Sequence, residues 1–219
     1  MPSFNELYYN QVGNIHLRPE IANQLNFGSL WEKVFKQLSF QWSVQGFYNL
    51  VEDKIVAIPT KNTFIWSMQN VGMATIYGSE TTFLTSYSFG KWKTSLNLNY
   101  TFQRALDHTE ESSPTFGHQL PYLPVHTGNA RWMIERKQTG ISIQTLVQSE
   151  RFALAQNTTS NRVAGFSLWD AQVFHTLTWK KQSVRLSFMV KNGFDTSYAY
   201  VRYYVMPGRN YLFSLQYAL

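Results

Sequence analysis

From Trp92 to Gln103 side chains alternate in character without a break: Trp92, Thr94, Leu96, Leu98, Tyr100 and Phe102 against Lys93, Ser95, Asn97, Asn99, Thr101 and Gln103. A period of two puts the first set on one face of a β-strand and the second on the other. Leu38, Phe40, Trp42 and Val44 alternate in the same way with Gln37, Ser39, Gln41 and Ser43, as do Tyr211, Phe213, Leu215, Tyr217 and Leu219 with Asn210, Ser214 and Gln216. A convincing helical period is found nowhere. The pattern predicts strands over 21–32, 37–50, 71–89, 92–106, 126–137, 140–152, 166–180, 183–193 and 209–219, and residues 2–9 could end a tenth. The chain reads as all-β, an antiparallel meander.

The connections between these strands alternate strictly in length. Residues 33–36, 90–91, 138–139 and 181–182 are short turns, whereas the stretches near 51–70, 107–125, 153–165 and 194–208 are long. Tight turns on one side and long loops on the other are the signature of a transmembrane β-barrel of the bacterial outer membrane. Such a barrel has a lipid-facing side, where Lys or Arg at mid-membrane costs about 2–4 kcal/mol. The charged residues Glu80, Arg131, Glu135, Arg185 and Lys191 all fall on the opposite, polar side of the alternation. Aromatic residues gather near the short turns (Trp31, Tyr87, Phe89, Trp92, Trp179) and near the loop ends (Tyr48, Tyr100, Phe102, Tyr211), as two interfacial girdles require. His175 is the one ionisable residue in the middle of the apolar face, read as a neutral imidazole close to Trp179.

Composition narrows the field further. Of 219 residues, 44% are hydrophobic, 16% aromatic and only 15% charged, with no cysteine, so disulfides and thiolate metal sites are excluded. No apolar run is long enough for a membrane helix. The net charge of +6 invites a nucleic-acid partner, but the cations are scattered and several sit at turns (Lys33, Lys36, Lys91, Lys93, Arg136, Lys137, Lys180, Lys181). No basic stripe forms, and no nucleic acid is expected.

Motifs in the loops carry a resemblance. Pro2-Ser3-Phe4-Asn5-Glu6-Leu7-Tyr8-Tyr9, followed by Val12-Gly13-Asn14-Ile15-His16-Leu17-Arg18-Pro19-Glu20, resembles the A-P-x-F-x-E-L-Y and G-N-P-x-L-x-P-E elements of TonB-dependent outer-membrane receptors, with Ile15 in place of a proline. Asn70-Val71-Gly72 with Gly78-Ser79-Glu80, Leu120-Pro121-Tyr122-Leu123-Pro124 with His126, Lys191-Asn192-Gly193-Phe194-Asp195 with Tyr198, and Met206-Pro207-Gly208-Arg209-Asn210-Tyr211 are similar to further motifs of the family, in the family's order. The resemblance implies the C-terminal portion, residues 1–219, of a larger barrel of about 22 strands, with the plug domain and the N-terminal strands absent. The first twenty residues do not show the basic-then-apolar order of a signal peptide. Leu219 stands where the family usually ends in Phe, part of the signal read by the barrel-assembly machinery. Gly78, Gly193 and Gly208 are expected at bends or turns, Pro19 and Pro207 at strand ends.

What the family implies is a receptor and transporter of the bacterial cell outer membrane, taking up a scarce nutrient with energy delivered through TonB. The cargo would be a ferric siderophore, haem or a cobalamin. The partners would be membrane lipid and lipopolysaccharide, a metal-chelate or cobalamin-like cargo, the plug domain and TonB. A resident cofactor, a metal ligand set and catalytic residues are not expected. The residues expected to touch cargo are loop aromatics and cations: Phe64, Trp66, His118, Tyr122, Arg151, Arg202, Tyr203 and Tyr204. Tyr and Trp give large, rigid contact surfaces, and Arg pairs bidentately with carboxylate or phosphate. Two other classes stay open: a small complete outer-membrane barrel acting as a ten-stranded enzyme or adhesin, and a soluble carbohydrate-binding β-sandwich. An enzyme would have to use Asp107, His108 and Ser112, near neighbours in one loop. Asn157-Thr158-Thr159 fits a glycosylation sequon and is read as a chance tripeptide.

Overall fold

The computed structural model describes residues 1–10, 12–59, 65–180 and 182–218. In chain order the strands are β1 (Ile21–Phe35), β2 (Leu38–Pro59), β3 (Trp66–Phe89), β4 (Trp92–Asp107), β5 (His126–Arg136), β6 (Thr139–Gln148), β7 (Arg151–Phe152), β8 (Arg162–Val163), β9 (Phe166–Trp179), β10 (Gln182–Lys191) and β11 (Asn210–Ala218). All but β7 and β8 form one nine-stranded antiparallel sheet in the order β1-β2-β3-β4-β5-β6-β9-β10-β11, a pure meander. Strands β7 and β8 pair with each other in the connection between β6 and β9. The sheet is open: β1 and β11 each have a strand on one side only.

The register carries the alternation across the whole sheet. Trp42, Phe83, Leu98 and Ala130 are laddered side by side, and so are Val173, Phe188 and Phe213. One face is therefore apolar from edge to edge. Glu80, Arg131, Glu135, Arg185 and Lys191 lie on the other, as the sequence pattern required. Among the described residues the apolar face carries charge only at its ends, with Lys33 and Arg136 beside the short turns and Glu52 and Arg104 beside the loops. Aromatic side chains of that face touch in rows: Trp31 and Trp42 at 4.9 Å, Tyr87 and Phe89 at 5.6 Å and Phe89 and Trp92 at 6.4 Å near the turns, Tyr48 and Tyr77 at 6.4 Å and Phe188 and Tyr211 at 6.1 Å towards the loops. His175 is exposed on it with Nδ1 2.7 Å from the Thr139 hydroxyl.

Four two-residue turns join strand pairs on one side. Their first residues, Lys36, Gly90, Lys137 and Lys180, all have positive φ, between 36° and 59°. That conformation turns the chain back with the twist of a hairpin, and three of the four positions bear it without glycine. Cations thus cluster on the short-turn rim. Lys33 lies over the Phe35 ring at 5.0 Å and the Arg136 guanidinium over Trp92 at 5.4 Å.

Several boundaries differ from the sequence reading. Residues 2–9 do not end a strand. Phe4–Tyr8 is a short helix, α1, because Ser3 and Glu6 form a capping box: the Ser3 amide donates to the Glu6 carboxylate at 2.6 Å and the Glu6 amide to the Ser3 hydroxyl at 3.4 Å. The stretch 51–70 is not a long loop. Strands β2 and β3 pair on to Pro59 and Trp66, a hairpin arm that leaves the regular alternation at Asp53, which has φ 52° and no ladder partner. The arm was illegible as strand because its side chains pack on both sides, which erases a period of two. The predicted strand 140–152 stops at Gln148, and Arg151 and Phe152 turn away into β7.

Residues 12–20 are fastened along this arm. The Met68 amide donates to the Val12 carbonyl and the Asn14 side-chain amide to the Met68 carbonyl, both at 3.0 Å. The Asn70 side-chain amide bonds the Arg18 and Asp53 carbonyls at 3.0 and 2.7 Å, and Arg18 pairs with the Asp53 carboxylate. Glu20 accepts from the Ile55 amide at 2.6 Å and from Lys54 Nζ at 2.7 Å. At the loop end the polar face turns apolar. Ala74 and Ala105 are fully buried beneath Leu120, with Val56, Val71, Ile76 and Leu123 packed around them.

Candidate functional site

That small core brings the loops over the polar face. After β4 the chain returns along it: Leu120 donates its amide to the Ala105 carbonyl at 2.7 Å, and Gln119 Oε1 accepts from the Ala105 amide at 3.2 Å. Asn157, in left-handed conformation with φ 51°, clamps this loop to the next one. Its Oδ1 accepts from the Gln119 amide at 2.8 Å and its Nδ2 donates to the Gln119 carbonyl at 2.9 Å. The sequon asparagine is thus a structural clamp.

The anchored loop presents Tyr122, whose φ of 60° and amide bond to the Phe152 carbonyl at 2.7 Å fix its direction. The Tyr122 ring meets Trp66, at the far end of the paired hairpin arm, at 4.9 Å. Burial holds the Tyr122 phenol above the usual tyrosine range, while a hydrogen bond from the Arg202 backbone and the charges of Arg202 and Arg151 pull it down. The Arg202 guanidinium lies over the Tyr203 ring at 4.8 Å. Four of the eight expected contact residues, one on the hairpin arm and three from two loops, therefore form one cluster: Trp66, Tyr122, Arg202 and Tyr203. Tyr203 is 61% exposed, so the cluster keeps open aromatic surface, and Tyr204, its neighbour in the chain, is 49% exposed.

Arg151 stands beside it in a different state. It is only 2% exposed, with Nη2 on the Ala199 and Tyr200 carbonyls at 2.7 and 2.8 Å and Nε on Tyr200 at 3.3 Å, and it faces the Phe166 ring at 5.8 Å. Burial lowers its pKa from the ordinary arginine value. Its Nη1 is buried without a hydrogen-bond partner. Arg151 is a strut for the 192–209 loop, not a surface contact. Phe166, Tyr198 and Tyr200, none of them among the expected contact residues although Tyr198 belongs to a recognised motif, pack around it with ring centroids 4.9–5.7 Å apart. His118 points elsewhere and donates to the Ala155 carbonyl at 3.1 Å. Phe64 lies outside the described residues.

The three residues an enzyme would have needed are each engaged separately. Asp107 accepts from the Thr109 amide and the Thr115 hydroxyl, His108 Nδ1 bonds the Thr75 hydroxyl at 2.7 Å, and Ser112 donates to Glu110 at 2.6 Å.

Comparison with known proteins agrees with this geometry. The family model described as "TonB dependent receptor-like, beta-barrel" matches residues 1–192. A vitamin B12 transporter, BtuB, of Vibrio vulnificus strain YJ016 is 23% identical over 230 residues, covering 99% of this chain and 33% of the transporter. Among solved structures, the copper transporter OprC superposes with a TM-score of 0.67 at 20% identity, over 96% of this chain and 34% of its own. The ferric citrate transporter FecA, unliganded, gives 0.67 at 17% identity, over 90% and 31%. These structures share the fold, and the chain spans about a third of the length of the relatives it matches.

Proposed function

The chain belongs to the TonB dependent receptor-like β-barrel family, and from that membership we propose that it forms nine strands of the wall of a larger outer-membrane receptor and carries part of its cargo site. The apolar face meets lipid and the polar face lines the lumen, where a plug domain would sit. TonB would deliver the energy for import through that plug. Members of the family are receptors and transporters, and the reading for this chain is uptake of a scarce nutrient, a metal chelate such as a ferric siderophore or haem, or a cobalamin. BtuB carries vitamin B12 by name, FecA ferric citrate and OprC copper, so relatives of one fold differ in cargo and the fold does not select one.

The observation that supports the reading best is the convergence of Trp66, Tyr122, Arg202 and Tyr203 over the polar-face mouth of the sheet. Rigid aromatic rings give contact area at low entropic cost, and an arginine backed by a ring offers a fork for a carboxylate, phosphate or catecholate oxygen. The test is direct. The intact receptor carrying Arg202→Gln or Tyr122→Ala is expected to bind its cargo about tenfold more weakly, measured by uptake of radiolabelled ferric siderophores and cobalamin under iron or cobalamin limitation. Uptake of every cargo at the unmodified level in both variants would remove this cluster from the site.

A further inference from the structure

On the apolar face, towards the loop end, lies an open depression of about 700 Å³ with almost wholly apolar lining. It has a simple origin in the sequence. The outward positions of β5 shrink to Gly128 and Ala130, laddered between Tyr100 and Leu98 on β4 and Val147 and Thr145 on β6. Bulky neighbours on both sides leave a trough where two side chains are missing. At its upper end the Tyr100 hydroxyl is 2.8 Å from His126 Nδ1, which makes a polar lip. At the next outward position beyond Phe102, which is laddered to His126, stands Arg104, exposed and with its side chain making no hydrogen bond or ion pair among the described residues.

We propose that this groove seats one acyl chain of a phosphate-bearing lipid of the outer leaflet, with Arg104 on its phosphate. Three observations carry it. First, the groove is continuous with the face that the barrel turns to lipid, so its surroundings are hydrocarbon. Second, the dimensions agree. From Ala130 to His126 is four residues and from Phe102 to Arg104 two more, about 20 Å along the strands, which at a tilt near 45° is about 14 Å of depth. One leaflet contributes about 15 Å of hydrocarbon. Third, the polarity runs the right way: apolar floor, hydroxyl and imidazole at the lip, then a guanidinium, whose planar fork suits phosphate. A chain lying in the trough recovers the dispersion contacts that a bare Gly128–Ala130 floor forgoes. The inference needs the apolar face to meet lipid, and it is independent of what the receptor imports.

The receptor extracted from outer membranes, exchanged into mild detergent and supplied with dimyristoyl phosphatidic acid, is expected to retain one molecule by native mass spectrometry. Dimyristoylglycerol, with the same chains and no phosphate, should be retained far less. Ala130→Trp fills the trough and should lower the retained fraction about tenfold. Arg104→Gln should lower phosphatidic acid retention about fivefold and leave the diacylglycerol unchanged. Heat-modifiable migration on gels establishes that each variant is folded. Equal retention by Ala130→Trp and the unmodified protein, or no preference for the phosphate, would overturn the proposal. So would efficient disulfide dimerisation of an Ala130→Cys variant in native membranes, since a second copy of the protein would then occupy the face.

Discussion

Arg151 and Arg202 carry the same charge and end up in neighbouring loops, yet the structure gives them different work. Arg151 is spent on backbone carbonyls of Ala199 and Tyr200, so its loss leaves buried acceptors unpaired at about 1–3 kcal/mol each. Arg151→Met is therefore expected to loosen the 192–209 loop, seen as faster cleavage there by an added protease, with the strands still protected. Arg202→Gln should leave cleavage unchanged and weaken cargo. Identical cleavage in the two variants would show that Arg151 is no strut. The sequence could single out both arginines as loop cations, but burial is a tertiary property. Nothing local marks Phe166, Tyr198 and Tyr200 as the residues that would enclose one of them. Gly78 is the reverse case, since its motif was visible and its reason was not. A Cβ there would collide with the Phe102 carbonyl oxygen and stand 2.8 Å from the Phe47 ring.

At the scale of the strand, alternation decides which substitutions are tolerated. Leu98 and Asn97 are adjacent, but one lies on the apolar face, which the proposed function turns to lipid, and the other on the polar face. Leu98→Arg should cost about 2–4 kcal/mol and Asn97→Arg close to none, measured as the shift in urea midpoint of the receptor folded into lipid vesicles. A similar shift for both would mean that the faces are misassigned. All nine strands of the main sheet are legible for this reason, because an apolar face opposite a polar one enforces a period of two. The period of two disappears where that asymmetry ends. Beyond Asp53 the hairpin arm is flanked by residues 12–20 and by the Leu120 core, so Ile55, Val56 and Ala57 lose the pattern. The helix α1 spans five residues, too few for a period. Its signal was the Ser3-x-x-Glu6 capping box, which needs no periodicity to be read.

For the whole molecule the two open edges matter most. Strands β1 and β11 offer backbone N–H and C=O groups that hydrocarbon cannot satisfy. Residues 1–219 expressed alone with an export signal should therefore fail to give a heat-modifiable, protease-resistant species. A stable closed monomer would show that β1 and β11 can pair with each other and that further strands are not required. The sheet also has a direction across its thickness. Its cations at the two-residue turns, Lys36, Lys137 and Lys180, with Lys33 and Arg136 leaning on aromatic rings, form a charged hem along one rim. Rings settle at the headgroup level while the amines reach past them to water. A wall hemmed in this way behaves like a keel: sinking drags charge into hydrocarbon and rising strips the rings of their interface. In the proposed outer-membrane setting this rim would hold the wall at a fixed height on its own side, leaving the loops on the other side free to differ in length.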